Sequence, residues 1–218
     1  MYKHILFDLD GTLTDPAAGI IASLRYALTQ MGVQEEDEEK YRLFIGPPLK
    51  DSFREMYGFN DKQIDEAIKL YREHYSRSGL YDNKVFPGIT DLLARLKADE
   101  RKLYVATTKM TAFAEIVLKH FALEHYFTKV VGGNPDGSRT AKVEIIAEIL
   151  RDINPAEYKK TVMIGDRKYD LIGAKAHGIN SIAVTYGYGT EEELRAQKPT
   201  HLVHSVAELS ALLLADAN

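Results

Sequence analysis

The chain has 218 residues, of which 45% are hydrophobic, so it can bury a sizeable core, and its length suits one core domain that carries an inserted module. It contains no cysteine, which excludes disulfides and zinc–thiolate sites, and its formal net charge of -4 argues against nucleic acid as a partner, because binding to a phosphate backbone needs a basic face. No apolar run approaches about 18 residues and a strand pattern begins directly after the N-terminus, so we expect no membrane span, no signal peptide and a cytoplasmic location.

The first predicted element is a strand over residues 4–7 that ends in two carboxylates. Side chains two apart share a face of a strand, so Asp8 and Asp10 project together while Leu9 turns away. Two like charges side by side are stabilised either by protonation of one member or by a bound cation. A nucleophile and a general acid need those two states, although a short motif of this kind also fits an acidic turn after an edge strand.

The segment that follows this strand shows helical patterns only. Asp15 before Pro16 predicts a helix N-cap with proline at the first helical position. Apolar residues then recur at helical spacing, and further helical patterns cover residues 49–57 and the stretch up to Tyr75. From about residue 16 to residue 83 there is no strand candidate.

From residue 84 onward, predicted strands alternate with predicted helices. The strands cover residues 102–107, 128–132, 161–164 and 181–185. Strands that alternate with helices and are apolar on both faces predict a parallel sheet covered on both sides. We therefore predict an α/β fold: a Rossmann-like three-layer α/β/α core domain of residues 1–15 and 84–218, with an inserted all-helical domain of residues 16–83.

In such a sheet, ligands bind beyond the carboxyl ends of the strands. Asp166 and Asp170 follow one strand about a helical turn apart, a spacing of hard oxygen ligands that suits Mg²⁺ but also fits a helix cap and a surface charge. Lys142 begins a predicted helix, where its ammonium and the helix N-terminus favour an anion, unless the lysine is only solvated. Thr107 offers a hydroxyl at another strand end, or is an ordinary β-branched strand residue.

In this order along the chain, the four elements resemble the motifs of the haloacid dehalogenase superfamily, and the resemblance covers nearly the whole sequence. The matching residues are Asp8-Leu9-Asp10-Gly11-Thr12, Thr107, Lys142, and Gly165-Asp166 with Asp170. The chain is more closely similar to the phosphoglycolate phosphatase-like and 5'-nucleotidase-like branch, in which a helical cap domain follows the first motif. That closer similarity is carried by Phe44-Ile45-Gly46-Pro47-Pro48-Leu49, Ala106-Thr107-Thr108-Lys109 and Met163-Ile164-Gly165-Asp166-Arg167. Met110 departs from the branch, in which proline often follows the lysine, and this affects only the start of a helix.

The resemblance implies a Mg²⁺-dependent phosphatase that hydrolyses a small phosphate monoester, either phosphoglycolate or a nucleoside monophosphate. Asp8 would attack phosphorus to give an aspartyl phosphate, while Asp10 would protonate the departing alkoxide and then deprotonate the hydrolytic water. Mg²⁺ would be held by Asp8, Asp166 and the backbone carbonyl of Asp10, with Asp170 close by.

The phosphate-binding groups implied by the resemblance are Lys142 and Thr107, with Thr108 as the alternative to Thr107. The cap domain would close over the site, exclude water and select the substrate. Three cations of the cap are weaker candidates for substrate binding and fit solvated helix positions equally well: Lys50, Arg54 and Arg72. The expected partner is a small phosphorylated metabolite, and the protein is expected to be a monomer or a homodimer.

Three other functions remain open from the sequence. A phosphosugar mutase of the same superfamily, similar to β-phosphoglucomutase, would pass the aspartyl phosphate to its substrate instead of water. A halide-releasing dehalogenase also uses an aspartate nucleophile, but it needs neither an acid at Asp10 nor a metal pair at Asp166 and Asp170. A non-catalytic phosphate-binding module would need none of these groups.

Overall fold

The computed structural model describes residues 1–215. The strands are β1 (His4–Phe7), β2 (Thr14–Asp15), β3 (Lys84–Val85), β4 (Lys102–Met110), β5 (Lys129–Gly133), β6 (Thr161–Gly165), β7 (Asn180–Val184) and β8 (His201–Val203). The α-helices are α1 (Ala17–Gln30), α2 (Glu38–Arg42), α3 (Leu49–Tyr57), α4 (Asp61–His74), α5 (Ile89–Ala98), α6 (Thr111–His120), α7 (Lys142–Leu150), α8 (Lys168–Ala176), α9 (Glu191–Ala196) and α10 (Val206–Leu214). A π-helical turn covers Tyr75–Gly79, and short 3₁₀ helices cover Glu124–Tyr126 and Pro155–Lys160.

Six of the strands form one parallel sheet with the order β5-β4-β1-β6-β7-β8. The first strand lies in the middle of this sheet, where Phe7 is in register with Val105 on one side and Ile164 on the other. The strands β2 and β3 form a separate two-stranded sheet. The predicted α/β fold with a parallel sheet is confirmed.

Helices cover both faces of the large sheet. On one face, Leu6 and Met163 belong to a buried cluster with Ile145 and Ile149 of α7 and Ala174 of α8. Alternate residues of the same strands, such as Ile5 and Val162, are buried as well. Because strand side chains alternate between faces, burial of both sets gives the three-layer arrangement that the near-continuous apolar strands predicted.

The chain divides into two compact units. One contains Met1–Asp15 and the chain from Val85 onward, and the other contains Pro16–Lys84. The second unit, called here the helical unit, has its own buried core, in which the Phe44 and Phe53 rings are 5.0 Å apart and the Phe53 and Phe59 rings 5.9 Å apart. Its assignment as a cap domain stays a prediction.

Two local predictions need correction, and some short strands were missed. Asp15 is not a helix N-cap: it lies in β2, α1 begins at Ala17, and no side chain caps that helix. The strand β4 runs to Met110, beyond the predicted end at residue 107. The strand β8 was not predicted, because it has only 3 residues and begins with an exposed histidine, a pattern too short to show strand alternation.

Side chains cap the last two helices. Thr190 and Ser205 accept hydrogen bonds from the backbone N–H groups of Glu193 and Glu208, at the starts of α9 and α10. None of the helices within residues 1–215 combines the length and apolar character that crossing a bilayer requires.

Candidate active site

Three neighbouring strands bring the predicted site residues to one edge of the sheet. Asp8 directly follows β1, Thr107 lies in β4, and Asp166 directly follows β6. The backbone N–H of Asp8 continues the ladder by donating to the carbonyl of Ile164 at 2.9 Å. Because the sheet is parallel, the carboxyl ends of these strands coincide, which places the three side chains in the same region.

A group of three buried aspartates lies at this edge. Asp8, Asp166 and Asp170 each offer a carboxylate oxygen, and these oxygens lie within 4.8 Å of one another. Ionised carboxylates this close repel one another strongly when water is excluded. Hard oxygen ligands in this number suit a divalent cation, so the group can hold one.

Lys142 compensates part of this negative charge. Its Nζ lies 2.9 Å from Asp8 Oδ1 and 2.7 Å from Asp170 Oδ1, and it donates to the carbonyl of Ala106 at 2.8 Å. Burial alone would lower the pKa of Lys142, but the charges of Asp170 and Asp8 more than offset that effect and raise it to about 12. The ammonium is therefore fixed and charged, and one positive charge faces three carboxylates.

The carboxylate of Asp166 is held by the two loops beside it. Thr12 Oγ1 donates to Asp166 Oδ1 at 3.3 Å, and the backbone N–H of Tyr188 donates to Oδ2 at 2.8 Å. Gly11 has φ of 85°, and a Cβ there would lie 2.2 Å from Asp166 Oδ2, so only glycine fits this turn. Burial, with the charges of Asp8 and Asp170, raises the pKa of Asp166 well above its ordinary value.

Asp170 lies in the first turn of α8. Its Oδ2 accepts a hydrogen bond from the backbone N–H of Arg167 at 3.1 Å, which caps the helix and orients the side chain toward Asp8 and Lys142. A Cβ on Gly165 would lie 2.1 Å from Asp170 Cγ, so the strand end must be glycine for Asp170 to enter the site. Burial raises the pKa of Asp170 to about 6, although Lys142 opposes the shift.

Asp10 has two oxygens in different surroundings. Its Oδ2 pairs with Lys109 Nζ at 2.6 Å, whereas its buried Oδ1 has no hydrogen-bond partner among the described residues. Burial raises the pKa of Asp10 despite the opposing charge of Lys109. A buried carboxylate oxygen without a partner is costly, and it is available to a group that enters the site.

The two threonines of β4 differ in exposure. Thr107 is buried, and its Oγ1 accepts a hydrogen bond from the backbone N–H of Lys109 at 3.2 Å. Thr108 is less buried. Lys142 Nζ bonds to the carbonyl of Ala106, the residue before Thr107, so the two predicted phosphate-binding groups lie at the same strand end.

The weaker candidates all lie in the helical unit. Lys50 Nζ and Arg54 Nη2 both pair with Asp61 Oδ1, at 3.7 Å and 2.6 Å, and all three side chains are exposed. Arg72 is partly buried in α4. The contacts of Lys50 and Arg54 are those of a solvated helix surface.

Two features of the site were not predicted from the sequence. Lys109 contacts Asp10, and its position two residues after Thr107, on the same face of a strand, was the available signal. The hydroxyl of Tyr188 donates to Asp15 Oδ1, and the backbone of Tyr188 supports Asp166. No local signal in the sequence connects residues 15, 166 and 188.

Comparison with known proteins gives consistent matches over almost the whole chain. The model of the haloacid dehalogenase-like hydrolase family matches residues 5–184. A 5'-nucleotidase from Pseudomonas aeruginosa is 45% identical over 212 residues, which cover 97% of this chain and 96% of that protein. The tyrosine-protein kinase PtkA from Mycobacterium tuberculosis is 39% identical over 201 residues, which cover 92% of this chain and 68% of that protein.

The fold has a similar counterpart among crystal structures. The structure of a predicted phosphatase from Clostridium acetobutylicum superposes with a TM-score of 0.93 at 42% identity, and 99% of each chain is covered.

Proposed function

This chain belongs to the haloacid dehalogenase-like hydrolase family and is a phosphoric monoester hydrolase, as its motifs predicted, and we propose that it is a Mg²⁺-dependent phosphatase that acts on a small phosphate monoester through an aspartyl phosphate. One observation carries the proposal. Asp8, Asp166 and Asp170 meet in a buried group beside the ammonium of Lys142, at the carboxyl edge of the parallel sheet.

Asp8 is the nucleophile in this proposal. Its carboxylate attacks phosphorus and displaces the ester oxygen, which replaces one difficult displacement by two easier ones. Asp10 supplies the proton that the departing oxygen needs, and it then takes a proton from the water that attacks the aspartyl phosphate. The raised pKa of Asp10 and its unpartnered Oδ1 support this role.

Lys142 and Thr107, with Thr108 as the alternative to Thr107, hold the phosphoryl oxygens. Charge spreads over these oxygens as the phosphoryl group is transferred. Hydrogen-bond donors that are already in place can stabilise this charge without reorganising. Lys142 is suited to this because its position is set by three contacts before any substrate binds.

The metal in this proposal is held by the side chains of Asp8, Asp166 and Asp170 and by the backbone carbonyl of Asp10. The fit rests on charge and ligand type, since three buried carboxylates face the single charge of Lys142 and all offer hard oxygens. When bound, Mg²⁺ supplies positive charge between an anionic nucleophile and an anionic phosphate.

The substrate is assigned to the nucleoside monophosphate or phosphoglycolate class, with the nucleotide placed first because of the 45% identical 5'-nucleotidase. We assign substrate selection to the helical unit, with Lys50, Arg54 and Arg72 as the side chains to test. The experiment is phosphate release with Mg²⁺ from mononucleotides, phosphoglycolate, sugar phosphates and phosphotyrosine, compared by kcat/KM. An enzyme inert toward all of them would contradict the proposal.

Replacing the nucleophile is the direct test of the mechanism. We expect Asp8→Asn to abolish turnover and to leave the fold intact, because the amide has nearly the same shape and is not nucleophilic. Steady-state phosphate release and circular dichroism check both halves of this prediction. Turnover within about tenfold of the unmodified enzyme would contradict the assignment of Asp8.

A second candidate function is transfer of the phosphoryl group to an acceptor other than water. The 39% identity to a tyrosine-protein kinase favours a tyrosine acceptor, and a phosphosugar mutase would use a sugar acceptor. Incubation of the enzyme with a phosphate donor and either a tyrosine peptide or a sugar phosphate separates these functions. Formation of the phosphorylated acceptor without release of inorganic phosphate would replace hydrolysis as the function.

A further inference from the structure

We propose that Lys109 is the positioning residue for the general acid, and this inference rests on the proposed function of Asp10. The ammonium of Lys109 holds Oδ2 of Asp10, so that Oδ1 is the oxygen that delivers the proton to the departing ester oxygen.

The contact between the two side chains is short and shielded from water. Lys109 Nζ lies 2.6 Å from Asp10 Oδ2, and the two side chains are only 6% and 14% exposed. The other oxygen, Oδ1, is buried and has no partner within residues 1–215. The two oxygens of Asp10 are therefore not equivalent: one is fixed by a charge-assisted hydrogen bond and the other remains available.

The backbone around Lys109 is shaped to make this contact. The register between β4 and β5 shifts between Ala106 and Met110, and Thr107 Oγ1 accepts the N–H of Lys109 at 3.2 Å. Gly132 of β5 allows the close approach, since a Cβ there would lie 2.3 Å from the carbonyl oxygen of Lys109. A register irregularity of this kind changes the local backbone path, and on this stretch Lys109 Nζ lies 2.6 Å from Asp10 Oδ2.

The proton balance gives Lys109 a part in both halves of the reaction. In the first half, the bond between phosphorus and the ester oxygen breaks, that oxygen keeps the electron pair and takes the proton from Asp10 Oδ1, and Asp10 is left as a carboxylate facing Lys109. In the second half, water attacks the aspartyl phosphate, its proton goes to Asp10, and the electron pair of the broken bond returns to the carboxylate of Asp8. Lys109 holds Asp10 in one orientation throughout.

A positioning role can be separated from a general structural role by the leaving group. Protonation matters for a basic leaving group such as phenolate and matters little for 2,4-dinitrophenolate, which departs without a proton. Loss of Lys109 should therefore slow phenyl phosphate far more than 2,4-dinitrophenyl phosphate. A change that only loosened the fold or weakened phosphate binding would slow both substrates alike.

The experiment measures kcat/KM with Mg²⁺ for phenyl, 4-nitrophenyl and 2,4-dinitrophenyl phosphate. The parameter kcat/KM is used because it reports departure of the leaving group and is insensitive to slow hydrolysis of the aspartyl phosphate. For Lys109→Met we expect a loss of about 10–100-fold with phenyl phosphate and less than about threefold with the dinitrophenyl ester. Lys102→Met, on the exposed start of the same strand, is the matched control and should change neither value.

Asp10→Asn distinguishes failure of this inference from failure of the proposed function. We expect it to show the same dependence on the leaving group, and we expect Lys109→Met to cause no further loss in the Asp10→Asn background. Equal losses with all three esters for Asp10→Asn would contradict the acid role of Asp10 itself. If the loss in kcat/KM depends on the leaving group for Asp10→Asn but is equal for all three esters in Lys109→Met, the role of Lys109 alone is overturned.

A second variant keeps the test decisive if Lys109→Met does not fold. Lys109→Arg retains the charge, so its kcat/KM ratio between phenyl and 2,4-dinitrophenyl phosphate should stay closer to that of the unmodified enzyme than the ratio of Lys109→Ala. An equal ratio for the two variants would overturn the proposal.

Discussion

At the scale of single residues, the site is organised by the placement of two lysines among four aspartates. Lys142 bridges Asp8 and Asp170, and Lys109 pairs with Asp10. Asp166 has no lysine partner in the described structure and relies on hydrogen bonds from Thr12 and Tyr188. The negative charge of the site therefore exceeds the positive charge, which suits the binding of a divalent cation.

Removing the charge of Lys142 tests how much of the phosphoryl transfer depends on it. We expect Lys142→Met to lower kcat/KM by about 10³-fold, because two unit charges about 4 Å apart interact by about 4 kcal/mol where water is partly excluded. Lys175→Met, on the exposed side of α8, is the control for loss of a lysine. A loss of less than about tenfold for Lys142→Met would contradict the role given to Lys142.

At the scale of elements, the junction of β4 and β5 determines where the side chains after Ala106 point. The register shift lies in β4, and the glycines that allow it lie in β5. A Cβ on Gly132 would lie 2.3 Å from the carbonyl of Lys109, and a Cβ on Gly133 would lie 3.1 Å from the carbonyl of Thr108. The two adjacent glycines thus differ in how closely a backbone passes them.

The same substitution should therefore have different effects at the two glycines. We expect Gly132→Ala to reduce the free energy of unfolding by about 1–3 kcal/mol and to lower activity, since β4 must move to relieve the contact. The matched variant Gly133→Ala should cost less, because its nearest contact needs only a small adjustment. Chemical denaturation and kcat/KM measure the two effects, and a larger loss for Gly133→Ala would show that the close approach of β4 is not the reason for Gly132.

At the scale of the whole molecule, the buried carboxylates of the site lower the stability of the metal-free protein. Burial raises the pKa of Asp170 from 3.8 to about 6, and the pKa of Asp166 is raised as well. A group with a raised pKa contributes stability that is present below its unfolded pKa and is lost as the pH rises through its folded pKa. Surface pairs such as Lys3 with Glu157 affect stability in a more acidic pH range, since the pKa of Glu157 is lowered from 4.5 to about 2.

We therefore expect the metal-free protein to have a lower Tm at pH 8 than at pH 5, by on the order of 5 °C. Mg²⁺ should raise the Tm more at pH 8, because the ion binds the ionised carboxylates. Thermal unfolding in chelator and in excess Mg²⁺ at the two pH values measures both effects. In Asp170→Asn the pH dependence should be weaker, and an unchanged dependence would contradict the assignment to this group.

The sequence by itself determined the class of fold and the chemical groups of the site. The alternation of apolar strands with amphipathic helices specified a parallel sheet covered on both faces, since that pattern is set by local periodicity and burial. The carboxylates after β1 and β6 and the lysine that begins α7 could be found because each stands at the end or start of a regular element. Local rules failed where the element was short, as in β8, and where a side chain served a distant partner, as Asp15 does for Tyr188.

Only the tertiary structure decided which of these groups touch. Lys142 could have been a solvated lysine, and its contacts with Asp8 and Asp170 exist because α7 and α8 pack on the same face of the sheet. Lys109 lies beyond the predicted end of its strand at residue 107, and the structure extends β4 to Met110 and brings Lys109 Nζ to 2.6 Å from Asp10 Oδ2. Local sequence fixes the type and spacing of side chains, whereas distances between residues far apart in the chain follow from how the elements pack.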